Sequence, residues 1–334
     1  MISAVRAPGL RVSINGTMTG GVVSAEIISV SYCAADRFSV AMAVTEIDLS
    51  AFASMPEIVI AIYATEGVQG APLIEGMVDQ LRFDFVRRLL CLEGRDLTAL
   101  FIESQASDSF VNQTSSDIAV LLAGRHGLTA DVMPTSTLVG RYYEADHSRV
   151  MLDQFAQANT EWDMLVWLAR QENFDVWVSG NTLHFQPRAA IVSASYVISP
   201  ATCIELEFER ALGLAQNIQV TVKSWNSSSQ SSLTQTSASG SATGGMKDYV
   251  VVRPNLNAVQ ASAMAQSLVA EISQHERVIN ATIVGEAVLS PRDIVQLVGT
   301  GTSFDQSYRI ISLVRRIDDG GFIEHITAMA SSAV

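Results

Sequence analysis

The run Glu75-Gly76-Met77-Val78-Asp79-Gln80-Leu81-Arg82-Phe83, followed by Asp84 to Arg88 and then by Leu89-Leu90-Cys91-Leu92-Glu93-Gly94, decides the fold. It reads as an extended segment, a polar turn and a return segment, and so predicts a long β-hairpin. Working outward, Arg11-Val12-Ser13-Ile14 alternates before the Asn15-Gly16 turn, and Val22 to Tyr32 is rich in β-branched residues. Glu57 to Tyr63 continues the pattern before turn residues at Gly67 to Pro72. Helix signals are nearly absent from Leu10 to Leu97, so roughly six short strands in a barrel or sandwich are predicted there. A second long hairpin, Tyr308 to Thr327 around Asp318-Asp319-Gly320-Gly321, closes the chain's other end. The likeness of the two hairpins predicts a weak internal repeat, which different strand orders in the two regions would reject.

Between the hairpins the pattern changes twice. Ser115-Ser116-Asp117 can start a helix whose Ile118, Leu121 and Leu122 share a face and which Gly127 ends. A second helical stretch is predicted from about Arg149, with Leu152 and Phe155. Thr160 with Asp163 resembles a capping box leading into Leu165 and Leu168. Phe174 to Val178, Ser179-Gly180-Asn181 and Thr182 to Phe185 read as strand, turn, strand, closed by Pro187. From Ala190 the β pattern returns at Cys203 to Phe208 and Asn217 to Val222. Ser227 to Gly245 carries no core-forming pattern and is predicted to be a mobile loop. A helix capped by Asn255 or Asn257, with Ala261, Met264, Ala265, Leu268 and Ile272 in register, precedes strands at 278–288, 294–298, 308–317 and 322–329. The reading is a mainly β chain with an α+β insert: a β domain at 1–98, a small helix-and-hairpin domain at 99–189, and a β domain with an inserted helix and Ser-rich loop at 190–334.

Composition narrows the function. The 334 residues are 48% hydrophobic and only 16% charged, a balance that suits a surface partly covered by neighbouring subunits. A net charge of −13 argues against binding nucleic acid through its phosphates. No run of 18 apolar residues could cross a bilayer, so no membrane insertion is expected. Met1 to Gly9 lacks the apolar segment of a secretion signal, so folding in the cytoplasm is expected. Cys33, Cys91 and Cys203 lie far apart, without CxxC spacing, and are expected to be reduced.

No catalytic, cofactor-binding or metal-ligating set emerges. His126, His147, His184, His275 and His325 form no HExxH or HxxxH pattern, and His126 suits a helix's last turn. Glu161 with Asp163, or Glu144 with Asp146, could supply paired carboxylates for glycan cleavage. Neither spacing converges on a helix or strand, and capping and solvation account better for Glu161 and Asp163. Thr300-Gly301-Thr302 and Ser239-Gly240-Ser241 lack the Lys of a phosphate loop. Trp162, Trp167 and Trp177 lie beside Leu165, Leu168 and Val176 and are expected in a core rather than on a sugar platform.

Several short runs, taken in order, resemble the tail hub family of contractile phages, Mu-like and P2-like, which includes the hub part of type VI secretion spikes. They are Glu93-Gly94-Arg95-Asp96-Leu97-Thr98, Ser116-Asp117-Ile118-Ala119 through Arg125-His126-Gly127-Leu128, Asp153-Gln154-Phe155-Ala156, Trp162 to Ala169, Leu183 to Pro187, Leu289 to Val295 and Phe304 to Ile310. The resemblance covers nearly the whole chain. It implies that the two β domains are tail-tube-like and that a homotrimer presents six of them, adapting a hexameric tail tube to a trimeric central spike. The implied partners are tail tube protein and central spike protein, with tape-measure and baseplate wedge proteins as further neighbours. The implied place is the virion's tail baseplate, assembled in the host bacterial cytoplasm. Because the chain ends at Val334 without a needle-like β-helix, a separate spike polypeptide is expected, and an acidic channel lining with it. The alternatives are a tail-associated peptidoglycan hydrolase and the hub of a type VI or extracellular contractile injection system.

Overall fold

The computed structural model describes residues 9–44, 49–65, 71–105, 110–136, 138–139, 160–188, 194, 196–212, 217–226, 231–239, 246–253, 256–286 and 288–330. The first unit contains β1 (Gly9–Ile14), β2 (Thr17–Thr19), β3 (Val22–Val30), β4 (Arg37–Ala43), the short helix α1 (Leu49–Ser54), β5 (Val59–Thr65), β6 (Ile74–Asp84) and β7 (Leu89–Asp96). The opening hairpin is β6 and β7, paired antiparallel from Gly76↔Asp96 to Asp84↔Leu89. Alternation along these strands puts Val12, Ile27, Val40, Ile60, Ile62, Leu90 and Leu92 into one core with essentially no exposure.

A helix-and-hairpin unit follows. It holds α2 (Thr98–Glu103), β8 (Gln113–Thr114), α3 (Ser115–Arg125), β9 (Thr129–Val132), β10 (Leu138–Val139), α4 (Glu161–Glu172), β11 (Phe174–Ser179) and β12 (Thr182–Pro187). Both α3 and α4 start with full capping boxes, Thr114 with Asp117 and Thr160 with Asp163. The cap of α3 is thus Thr114, one residue ahead of the predicted start. Ile118 and Leu122 are buried as predicted, but Leu121 is 40% exposed, because the buried stripe runs through Ala119 and Ala123 instead. The helix predicted from about Arg149 lies outside the described residues.

The remaining elements are β13 (Tyr196–Ile198), β14 (Cys203–Arg210), β15 (Ile218–Asn226), β16 (Ser231–Ser239), β17 (Lys247–Val252), α5 (Ala258–Ser273), β18 (Arg277–Val284), β19 (Ile294–Leu297), β20 (Ser307–Asp318) and β21 (Gly321–Ala330). Two corrections arise here. Ser231–Ser239, predicted as part of a Ser-rich loop, is a strand paired with β15 over its full length. The polar composition masked it: β15 supplies the hydrogen bonds, Thr suits a pleated surface, and Leu233 gives the strand an apolar contact. The inserted helix, capped by Asn257, therefore comes with its own three-stranded sheet of β16, β15 and β17 and its own core of Ile218, Val220, Val222, Ala261, Ala265 and Val269.

The two β regions share a strand order. In the first, neighbours run β3-β4-β7-β6-β5-β1; in the last, β14-β18-β21-β20, continued by β19 and β13. The predicted repeat thus meets its test, with one difference: β1 pairs with β5 antiparallel, whereas β13 pairs with β19 parallel. The irregularities coincide as well. Val23 in β3 and Ile204 in β14 are each the extra residue in a bulge at the second position of the strand. Asp79 in β6 and Ile311 in β20 are each the extra residue in the hairpin. The two regions are not separate sheets, because β20 pairs antiparallel with β3 from Ser312↔Val30 to Ile317↔Ala25 and joins them into one sheet of 13 strands.

Candidate functional site

The side chains singled out by chemistry do not converge. Glu161, at the first position of α4, is 2% exposed rather than solvated as expected. Arg125 donates to its Oε1, and His126 Nε2 lies 2.6 Å from its Oε2. His126 is the C-cap of α3, so this cluster ties the end of one helix to the start of the next. Asp163 spends its carboxylate on the Thr160 backbone N–H. Glu144, Asp146 and His147 lie outside the described residues. His325 meets Thr282 Oγ1 at 2.9 Å within the sheet. His275 stands in a short 3-10 turn after α5. Among the described residues, no group of three or more His, Cys, Asp or Glu side chains is placed to hold a metal ion.

One series was not visible in the sequence. His184 lies 3.0 Å from Ser179 Oγ through Nε2 and 2.7 Å from Asp131 Oδ2 through Nδ1. Serine, histidine and aspartate in that order can activate a hydroxyl when the acid is buried and dedicated to the ring. Here the Asp131 side chain is 54% exposed and also accepts from Gln186, which fits a solvated polar face on β9, β11 and β12. Trp162 is buried as expected, and its indole N–H donates to the Cys33 carbonyl. Trp167 packs against the same core. Trp177 departs from expectation: it stacks on His184 and carries the Arg292 guanidinium 4.6 Å above its ring. The Thr300 to Thr302 turn cannot cradle a phosphate, because Asp305 already accepts from the N–H groups of Thr300 and Gly301. The Thr300 hydroxyl, and then those N–H groups, hold the Asp305 carboxyl below its ordinary range. Cys33, Cys91 and Cys203 are free and partly buried, and burial pushes the thiols of Cys33 and Cys203 up.

What the molecule does build is junctions and edges. Arg292 reaches from the Ser290 to Asp293 turn toward Ser31, Asp36, Asp175 and Trp177, so all three regions meet around one guanidinium. Asp175 is held at 3.1 Å by Arg188 and at 3.5 Å by Arg309. Beside it runs the β20–β3 seam. There Arg315, 4% exposed, donates to Glu324 Oε1 at 2.8 Å and to the Leu289 carbonyl. Glu324 is fully buried and its carboxyl is pushed up by burial, while Arg316 closes the outer side on Glu26 at 2.6 Å.

Among the edges of the sheet left open by the described residues, besides the short β2 and β13, are two longer ones. β14 pairs only with β18, and all but Cys203 and Leu206 of its residues are exposed. β5 covers β6 only as far as Met77, leaving the outer half of β6 with β7 alone. An edge strand left bare is a template for another chain. Apolar residues gather nearby, with Phe85 77%, Val86 95%, Ile204 59% and Phe208 42% exposed.

No protein-family model matches the sequence, and no curated protein matches it. Solved structures do. A tail protein from Neisseria meningitidis MC58 is similar over 97% of this chain and 97% of its own, with a TM-score of 0.75 at 14% identity. The 43 kDa tail protein of prophage MuSo2 from Shewanella oneidensis is similar over 96% of this chain and 97% of its own, with a TM-score of 0.69 at 14% identity. An E. coli component of the type VI secretion system, described as structurally similar to T4 bacteriophage tail proteins, is similar over 96% of this chain and 77% of its own, with a TM-score of 0.59 at 10% identity. The chain has the mainly β fold of these tail and secretion-system proteins.

Proposed function

We propose that the chain is a structural part of a contractile phage-type tail, a baseplate hub of which three copies form a ring between the tail tube and the central spike. The observation that carries this reading is the pair of β regions with one strand order, fused edge to edge by β20 and β3. Three such chains offer six equivalent units to a sixfold tube while keeping threefold symmetry for a spike. The parts are a tube-like β domain at 1–98, a helix-and-hairpin domain at 99–189 and a second tube-like β domain with its insert at 190–334. Low charge density and bare apolar edges suit permanent neighbours: tube protein above, spike protein below, and tape-measure and wedge proteins around them. The net charge of −13 suits a channel that DNA passes without sticking.

The role is non-catalytic. Glu161, a candidate acid for a peptidoglycan hydrolase, is buried and bound to Arg125 and His126. Likeness to the E. coli secretion component supports a second reading, the same hub in a type VI or extracellular injection system, which the neighbouring genes distinguish. Light scattering of the purified chain, with immunodetection in purified tails, tests the proposal. A trimer and a tail-tip signal are expected; a stable monomer at every concentration, together with absence from tails, refutes it.

A further inference from the structure

The strand-order repeat makes a residue-by-residue correspondence possible. From Val40, steps across the ladders reach Ala25 on one side, and Leu92 and then Leu81 on the other. From Ala281, the same steps reach Leu206 on one side, and Ile326 and then Leu313 on the other. β3 therefore corresponds to β14, and β6 to β20, and the coincident bulges fix the register independently. Within the chain, β20 and β3 pair at Leu313↔Ser29, Val314↔Ile28, Arg315↔Ile27 and Arg316↔Glu26. Their counterparts, the outer half of β6 and β14, are both bare edges.

We infer that the bare edge of β14 on one copy pairs antiparallel with the outer half of β6 on the next copy, at Leu81↔Arg210, Arg82↔Glu209, Phe83↔Phe208 and Asp84↔Glu207. The occupant of each edge is a second copy of this chain. The inference rests on the ring reading above and adds which edges meet and in what register.

Three observations favour it. At the internal seam Ile27, Leu313 and Arg315 are buried, whereas their counterparts Phe208, Leu81 and Phe83 are apolar side chains left 42% exposed or half-buried. Pairing would cover them as the seam covers its own. On the other face Arg82 would lie opposite Glu209 and diagonal to Glu207, within reach of both; within the chain it meets Glu93 at 3.5 Å on the exposed surface. The acidic pair Asp84↔Glu207 is relieved because Asp84 already accepts from the N–H groups of Val86 and Arg87. A head-to-tail contact of this kind uses a different patch on each copy and repeats until a ring closes.

Mixed crosslinking with one introduced cysteine per copy tests the seam. Arg82 lies directly across the ladder from Cys91, so Arg82→Cys and Glu209→Cys are each made in a Cys91→Ser background, with circular dichroism confirming the fold. Mild oxidation of the two mixed together should give a covalent dimer that neither gives alone. Leu81→Cys mixed with Arg210→Cys should do the same, whereas Arg82→Cys with Glu205→Cys, about 13 Å along the strand from position 209, should not. A trimer by mass that links at neither pair overturns the seam and leaves the ring reading standing. A link within complexes of some other copy number supports the seam and removes the trimer. Folded monomers that never link overturn both.

Discussion

Asp96 ends β7 with its side chain turned inward and the residue only 5% exposed. Burial, with the Asp36 carboxylate nearby, pushes its carboxyl up to about 8. Thr98 answers with its backbone N–H at 3.2 Å and its hydroxyl at 3.1 Å. An unfolded chain releases this proton near pH 4, while the folded chain keeps it until about pH 8. The unfolded state therefore binds fewer protons across that window, and the stability contributed by Asp96 is lost as pH rises through it. Asp96→Asn keeps an acceptor for Thr98 without the titration. Thermal melts should show the wild type losing a few degrees more than Asp96→Asn between pH 5 and pH 8, and parallel curves would refute the assignment. Sequence alone could not reveal this, since Asp96 and Asp36 are 60 positions apart and only the fold brings them together. Glu161 was hidden in the same way: its place beside a capping box was legible, but its burial under Arg125 and His126 depends on how α3 meets α4.

The β6–β7 hairpin was the most legible element, because its long extended runs flank a polar turn, and its tolerance is set by close backbone approach. A Cβ on Gly94 would sit 2.0 Å from the Met77 carbonyl oxygen and 2.5 Å from the Phe38 ring. Neither the ladder nor the buried ring can give way. Gly94→Ala should cost about 3 kcal/mol or more by denaturant titration. Gly124→Ala, on α3 with nothing within 4 Å of the added carbon, should be neutral or slightly stabilising. A Gly94→Ala variant as stable as wild type would contradict the packing described. The capping box of α4 was equally readable, and the cap of α5 was narrowed to Asn255 or Asn257, since both use local spacing. β16 was not, because a Ser- and Thr-rich strand is held by its partner β15 rather than by its own pattern.

At the scale of the whole molecule, the repeat of the two β regions was suggested by the likeness of their closing hairpins, but their fusion was not. β20 and β3 pair across some 290 residues, and no local signal marks two strands that find each other at that separation. The same applies to Arg292, whose turn was legible from Ser290-Pro291-Arg292-Asp293 while its reach into the other two regions was not. Fusion of the two β regions makes each chain one third of a six-unit ring under the proposed function. A cryo-electron microscopy reconstruction of the tail tip tests that claim most directly. The account predicts three copies around the axis, their six β regions in one ring, with β14 of each beside β6 of the next. Six copies, or a single copy lying off the axis, would contradict it.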